Sequence, residues 1–251
     1  MIGMWLLAHA PHPQFRCLAK RTTRKGQDLR TGIDGHHRKL LNPDPRRHAS
    51  KTSVFARHDY RMDTDVGGLH LSVCRRFGDA VRSADGKWDR PTPCTAWHAR
   101  DIVEHVIGFH DVLLLRPLGL KPDRPHEDPQ LRWELTYNQI GKAFSQHDLF
   151  ERVVQVPAVG KNAATQLDAR KLVPRLTQDV LVHAWDLARA VGADDTLDPQ
   201  WCAHFLEQLP ADADALSASG MFAPPVIVDQ TDTQSRLLAR LGRDPSWRPV
   251  A

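Results

Sequence analysis

Residues 168–191 read Asp-Ala-Arg-Lys-Leu-Val-Pro-Arg-Leu-Thr-Gln-Asp-Val-Leu-Val-His-Ala-Trp-Asp-Leu-Ala-Arg-Ala-Val, followed by Gly192. Leu172, Leu176, Val180, Ala184, Leu187 and Val191 recur at steps of three and four, the period of an amphipathic helix. Gly192 is the residue type that most often stops such a helix, because it adopts the left-handed conformation without strain. Pro174 lies near the start, where proline begins or kinks a helix. Asp179 and His183 are four residues apart, so they share one face beside the apolar stripe. Asp186 follows three residues after His183, within reach of the same imidazole.

The same period appears upstream. Val66, Leu69, Val73, Phe77, Ala80 and Val81 predict a first helix. Ile102, Val103, Val106, Phe109 and Leu113 predict a second over about 98–115, ended by Pro117 and Gly119. A third, about 130–144, carries Leu131, Leu135 and Ile140 with Trp133 and Tyr137. Prolines keep 86–94 out of helix, and Trp88 there is expected to plug the core edge. Residues 150–166, with Arg-Val-Val-Gln-Val-Pro and Gly160, predict an extended excursion or long crossover. A fifth helix is expected at about 199–208, a strand-like stretch at 222–228 and a short helix at 232–241. Four amphipathic helices with one late, long connection predict an all-α four-helix bundle with a short C-terminal extension.

Composition limits what this bundle can be. The chain has 251 residues, a formal charge of +4 and 41% apolar residues, which excludes a disordered or fibrous protein. No apolar run approaches the ~20 residues that span a bilayer, so no membrane partner is expected. Residues 1–61 carry 13 Lys+Arg against 4 Asp+Glu, a net +9, which leaves −5 for residues 62–251. Residues 1–61 lack sustained periodicity and read as a basic, disordered extension, or as upstream sequence from a misassigned start, with Met62 a natural beginning. Met1–Ala10 lacks the charged start and long apolar run of a signal peptide. The expected division is 1–61, a bundle over 62–195, and an extension over 196–251 packed on it. The mildly acidic body gives no reason to expect a nucleic-acid partner. Cys17, Cys74, Cys94 and Cys202 are scattered, with no Cys-x-x-Cys pair, which fits a reducing, cytoplasmic setting.

The chemistry converges on two helices. His105 sits at the flank of the second helix's stripe, next to Val106. If the second and fourth helices face each other, His105, Asp179 and His183 meet. Two nitrogens and one oxygen leave a fourth position open, the pattern of a catalytic zinc-type site. Spacing alone leaves this open against a plain hydrogen-bonded helix pair. Asp186 is a candidate to orient an imidazole from behind. Glu104 and His110 fall on other faces and read as solvent or rim residues. Cys94 lies in a loop that reads as structural, and Trp97, Trp185 and Trp201 read as core. No Gly-x-Ser-x-Gly, phosphate-binding glycine loop or dinucleotide fingerprint occurs.

The stretch Trp88-Asp-Arg-Pro-Thr-Pro-Cys-Thr-Ala-Trp-His-Ala-Arg-Asp-Ile-Val-Glu-His105 resembles the opening of the mycothiol-dependent maleylpyruvate isomerase N-terminal domain group, which belongs to the DinB-like metal-binding helical bundles. Asp179 to Ala190 resembles that group's fourth helix. Phe222-Ala-Pro-Pro-Val226 and Asp232 to Trp247 resemble an actinobacterial-type subgroup, so the resemblance covers about residues 66–248. It implies a divalent metal, usually zinc, held by one His of the second helix and a carboxylate and a His of the fourth. By position these are His105, Asp179 and His183. There are departures. His98 stands where the group has a Thr or Ser cap, a loss of about 1 kcal/mol. Asp179 is shorter than the Glu of the isomerase proper. That isomerase also has a larger C-terminal domain with substrate contacts, so maleylpyruvate as substrate does not follow.

What the resemblance implies is a metal-dependent thiol transferase or isomerase. Mycothiol or a similar small thiol would be its co-substrate and a small electrophile its target. The alternative is a non-catalytic metal-binding bundle acting as a binding or stress-response module. Either is expected to be a monomer or homodimer.

Overall fold

Aspartates start most of the helices. In this computed structural model, α1 (Val66–Ser83) begins where the Asp65 carboxylate accepts from the Gly68 N–H at 2.7 Å. Asp128 does the same for Leu131 N–H at 2.9 Å at the head of α3 (Pro129–Phe144), with Pro129 in the first turn. α2 (Ala99–His110) has His98 at its cap, and the Asp101 carboxylate reaches back to accept from the His98 N–H at 2.8 Å. That reciprocal bond keeps half of a capping box where a hydroxyl is lacking. α4 (Ala169–Val191) follows Asp168 and ends at Gly192, whose φ of 70° lies in the left-handed region. The structure describes residues 65–156, 164–212, 215–218 and 222–249; the expectations for residues 1–61 lie outside the described residues.

α1 packs against α3 and α4, and α2 packs against the same two helices. α1 and α2 therefore lie on one diagonal of a four-helix bundle, and α3 and α4 on the other. The core holds Val73, Phe77, Val81, Ile102, Val106, Ile140, Leu181, Trp185 and Leu187, all fully buried. From Val180 to Ala188 every residue of α4 is buried, so this helix is the axis of the core rather than a surface helix with one wet face. α2 runs on after His110 as one π-helical turn, Asp111–Leu115, and Gly119 (φ 68°) closes the connection.

The excursion between α3 and α4 is a 3₁₀ turn (Leu149–Glu151) and an antiparallel pair, β1 (Val153–Val156) with β2 (Thr165–Asp168), in register from Val153↔Asp168 to Val156↔Thr165. Beyond α4 come α5 (Pro199–Gln208), the single turn α6 (Ala215–Ala218) and α7 (Thr233–Arg240), with α5 and α7 packed together. No helix among the described residues is long and apolar enough to cross a membrane.

Three local expectations are corrected. Residues 222–228 form no strand; they run extended beside α7, and the Val226 N–H donates to the Ala239 carbonyl at 3.0 Å. Leu131 is exposed, and α3 instead buries Trp133, Thr136, Ile140 and Ala143, because α3 meets α1 and α2 along a narrower face. His110 is not on a rim: it is fully buried on the second core-facing side of α2. Glu104 is partly exposed and held by Arg132 at 2.7 Å.

A Cβ at Gly192 would meet nothing within 4 Å, so substitution there is opposed by backbone conformation alone. Gly192→Ala is expected to cost about 1 kcal/mol in chemical denaturation, and Gly192→Asn less, because Asn tolerates the left-handed region.

Candidate metal centre

α2 and α4 bring His105, Asp179 and His183 together. His105 Nε2 lies 3.3 Å from Asp179 Oδ2, and His183 Nε2 lies 3.6 Å from Asp179 Oδ1. Two donors at about 2.0–2.2 Å from one tetrahedral cation stand about 3.3 Å apart, so the spacing suits a single ion between them. Both imidazoles are buried, whereas 17% of the Asp179 side chain is exposed. The cluster thus meets solvent on its carboxylate side.

Protonation fits the same arrangement. Burial lowers the His105 pKa by more than the Asp179 carboxylate raises it, so this imidazole is neutral at neutral pH and keeps a lone pair. Burial pushes the Asp179 carboxyl up, but His105, His183 and Arg243 together outweigh it and hold it at about 2. The His183 Nδ1–H donates to Asp186 Oδ2 at 3.0 Å, which orients the ring with Nε2 toward Asp179. Two imidazoles and one ionised carboxylate are a donor set that fits a divalent cation.

Behind His183 stands a buried ion pair that sequence reasoning misses. Arg243 Nη2 lies 2.9 Å from Asp186 Oδ2, and both side chains are buried. The same nitrogen donates to Cys94 Sγ at 3.1 Å. Burial raises the Asp186 carboxyl, but Arg243 and His183 bring it down to about 2. Cys94, His183 and Asp186 also cluster tightly enough to hold a metal. There, however, the guanidinium already supplies the cation. Arg243 is aimed by the end of α7. The Gly242 N–H donates to the Ala239 carbonyl at 3.0 Å and the Arg243 N–H to the Leu238 carbonyl at 2.9 Å, the paired bonds of a Schellman motif. Gly242 has a φ of 75°, and a Cβ on it would stand 2.5 Å from the Ala223 carbonyl oxygen, so only glycine fits. The Leu-Gly-Arg run at 241–243 was the available signal; its partner 57 residues upstream was not.

Trp97, expected only as core, covers the imidazoles: its ring centroid lies 4.7 Å from that of His105 and 5.5 Å from that of His183, stacked on the latter. Phe109 closes the other side of His105 at 4.4 Å. Trp185 is fully buried core, as expected.

Comparisons with known proteins agree with this architecture. Residues 71–188 match the family model described as mycothiol maleylpyruvate isomerase N-terminal domain. The matched span contains His105, Asp179, His183 and Asp186 but not Arg243. Two relatives are proteins described as uncharacterized from Mycobacterium tuberculosis strains CDC 1551 and H37Rv. Each is 32% identical over 110 residues, 44% of this chain. The chain spans 58% of those relatives' length. No solved structure gives a significant match.

Arg243→Ala leaves a buried carboxylate without its cation and is expected to cost about 3–5 kcal/mol in denaturant unfolding, with part recovered by adding Asp186→Asn. Asp179 and Asp186 are both held below their ordinary 3.8, so their contribution to stability is complete above that value and lost as pH falls toward about 2. Acid titration of metal-free protein, followed by circular dichroism, should lose helix across this window, with a shallower slope in Asp186→Asn.

Proposed function

We propose that the chain is a metal-dependent thiol transferase or isomerase whose ligands are His105, Asp179 and His183. Its co-substrate would be mycothiol or a similar small thiol. The carrying observation is the convergence of two buried imidazoles and an ionised carboxylate on one point that is most exposed beside Asp179. The description of the matched family, which names mycothiol and an isomerase, supports the thiol. Zinc suits the N₂O donor set. A divalent metal held there supplies Lewis acidity, which favours the anionic form of a thiol at an open position.

The chain's own residues have distinct parts. Asp179 brings negative charge to the solvent-facing side. His105 and His183 present their Nε2 atoms from two different helices. Asp186 orients His183 through its Nδ1–H, and Arg243 keeps Asp186 ionised. Trp97 and Phe109 exclude water from the imidazole side, which strengthens the local electrostatics. The chemistry is attack of a thiol sulfur on an electrophilic carbon: the S–H bond breaks with its proton passing to solvent, a carbon–sulfur bond forms, and the displaced electron pair departs with a leaving group or comes from the π bond of an activated alkene that breaks as sulfur adds. The protein is proposed to act in the cytoplasm as a monomer or homodimer, with residues 62–195 as the metal-binding bundle and 196–251 completing it through Arg243.

The deep burial of both imidazoles favours a second reading, a non-catalytic bundle in which the metal joins α2 to α4. The two readings separate on metal removal. A catalytic centre is expected to lose its metal to a chelator with a modest drop in melting temperature, whereas a structural one melts outright. Elemental mass spectrometry should find about one equivalent of zinc in the parent and little in His105→Ala or His183→Ala. Calorimetric titration with a small thiol should then give binding to the zinc-loaded parent and none to the variants. Zinc-loaded parent that binds no small thiol contradicts the transferase reading.

A further inference from the structure

A second cluster of ligand-type side chains lies on the opposite side of α2 and shares no residue with the first. His105 and His110 are five residues apart on that helix, a rotation of about 140° at ~100° per residue, so they serve different faces. His110 meets His70 and Cys74 of α1, which are one helical turn apart. All three are fully buried. His70 Nε2 lies 3.1 Å from His110 Nε2 and 3.4 Å from Cys74 Sγ. Nitrogen and sulfur donors on one small cation, at about 2.0–2.1 and 2.3 Å from it, stand about 3.3 Å (N to N) and 3.6 Å (N to S) apart. The observed pair of distances has that order and lies within a few tenths of an ångström of it.

The outer nitrogens point the same way. The His110 Nδ1–H donates to the Val106 carbonyl at 2.7 Å, so its Nε2 is a lone pair aimed at His70. His70 Nδ1 lies 2.9 Å from Thr177 Oγ1, and that hydroxyl donates to the Val173 carbonyl at 2.7 Å. With its proton so used, Thr177 accepts from the His70 Nδ1–H, and His70 Nε2 is also a lone pair. Two imidazole lone pairs and a sulfur then face one point. With both rings neutral and no metal, a hydrogen bond between the two Nε2 atoms requires the Thr177 proton to leave the shorter bond to Val173 and turn to His70. Imidazoles whose outer N–H groups are bonded to backbone or hydroxyl oxygen are the ordinary support of metal-ligating histidines. The surroundings are apolar and aromatic, with the Phe144 ring centroid 5.2 Å from that of His70 and the Trp133 ring 6.2 Å from that of His110. A cavity of about 180 Å³, lined in part by Val66, Leu69 and Thr177, lies on the far side of the residue that holds His70.

We propose that His70, Cys74 and His110 form a second metal site, for a soft thiophilic cation, with Cu(I) favoured over Zn(II). Thiolate and imidazole ligands select soft metals. Charge decides between the two. One thiolate with two neutral imidazoles carries −1, so Cu(I) leaves the buried site neutral, whereas Zn(II) leaves +1 in a core without water. Binding forms the sulfur–metal bond and releases the Cys74 thiol proton to solvent, with no change of oxidation state.

The test uses the full chain under anaerobic conditions, carrying His183→Ala to weaken the first centre. Cu(I) is titrated against a chromophoric Cu(I) chelator, and copper K-edge X-ray absorption reads the shell. The expected result is one equivalent bound by one sulfur and two imidazole nitrogens. Adding Cys74→Ala should weaken binding by more than the roughly 100-fold that loss of a supporting residue costs. Adding Cys202→Ala, at another buried cysteine, should leave it unchanged. Equal Cu(I) uptake with and without Cys74 overturns the site. If Cys74→Ala fails to fold, the absorption spectrum of the folded protein still decides, because a shell without that sulfur and two nitrogens overturns it. Zn(II) displacing Cu(I) overturns the charge argument.

Discussion

The centre between α2 and α4 depends on one buried ion pair, Arg243 with Asp186. A carboxylate with no solvent contact is costly unless it is paired and hydrogen-bonded. Here the guanidinium pairs with it, and the His183 Nδ1–H donates to its Oδ2. Without Arg243 the carboxyl would tend to protonate, and it would stop fixing the imidazole. The chain of consequence runs outward: Arg243 holds Asp186, Asp186 orients the His183 ring, and His183 presents its Nε2 beside Asp179 and His105. The first link lies outside residues 71–188, so the family-matched bundle is completed by a residue from the C-terminal extension.

How much of this is legible in the sequence follows from the range of each interaction. α1, α4 and α5 are readable because their signals are local: stripes at three and four, aspartates at their heads, and Gly192 at a helix end. His105, Asp179 and His183 are readable as candidates for the same reason, since each shares or flanks an apolar stripe on its own helix. The misses are long-range or two-sided. α2 packs on both α3 and α4, so it has two buried faces, and a single-stripe reading places His110 on the outside. Leu131 reads as core because it is apolar and in phase, yet the face of α3 that meets α1 and α2 is narrower. Arg243 sits in a polar, turn-rich stretch, and nothing local says that its guanidinium enters the core. Residues 222–228 carry strand-like residues but have no partner strand among the described residues, where Val226 instead bonds to the end of α7.

The two ligand clusters make a physical contrast within one bundle. Asp179 brings one negative charge to His105 and His183, and this carboxylate side meets solvent, so a divalent ion there still has room for an anionic partner. His70, Cys74 and His110 bear no charge until the thiol ionises and have no solvent contact, which suits a closed site. The two clusters sit on opposite sides of α2, so the helix that sequence periodicity describes as having one apolar stripe carries polar chemistry on both core-facing sides.

The most direct test of the metal centre is anomalous diffraction at the zinc edge from crystals of the full chain grown with zinc. The expected result is a peak within about 2.0–2.2 Å of His105 Nε2, His183 Nε2 and an Asp179 oxygen, with Arg243 still seated on Asp186. Zinc instead among Cys94, His183 and Asp186 with Arg243 displaced, or no peak between α2 and α4, would contradict it.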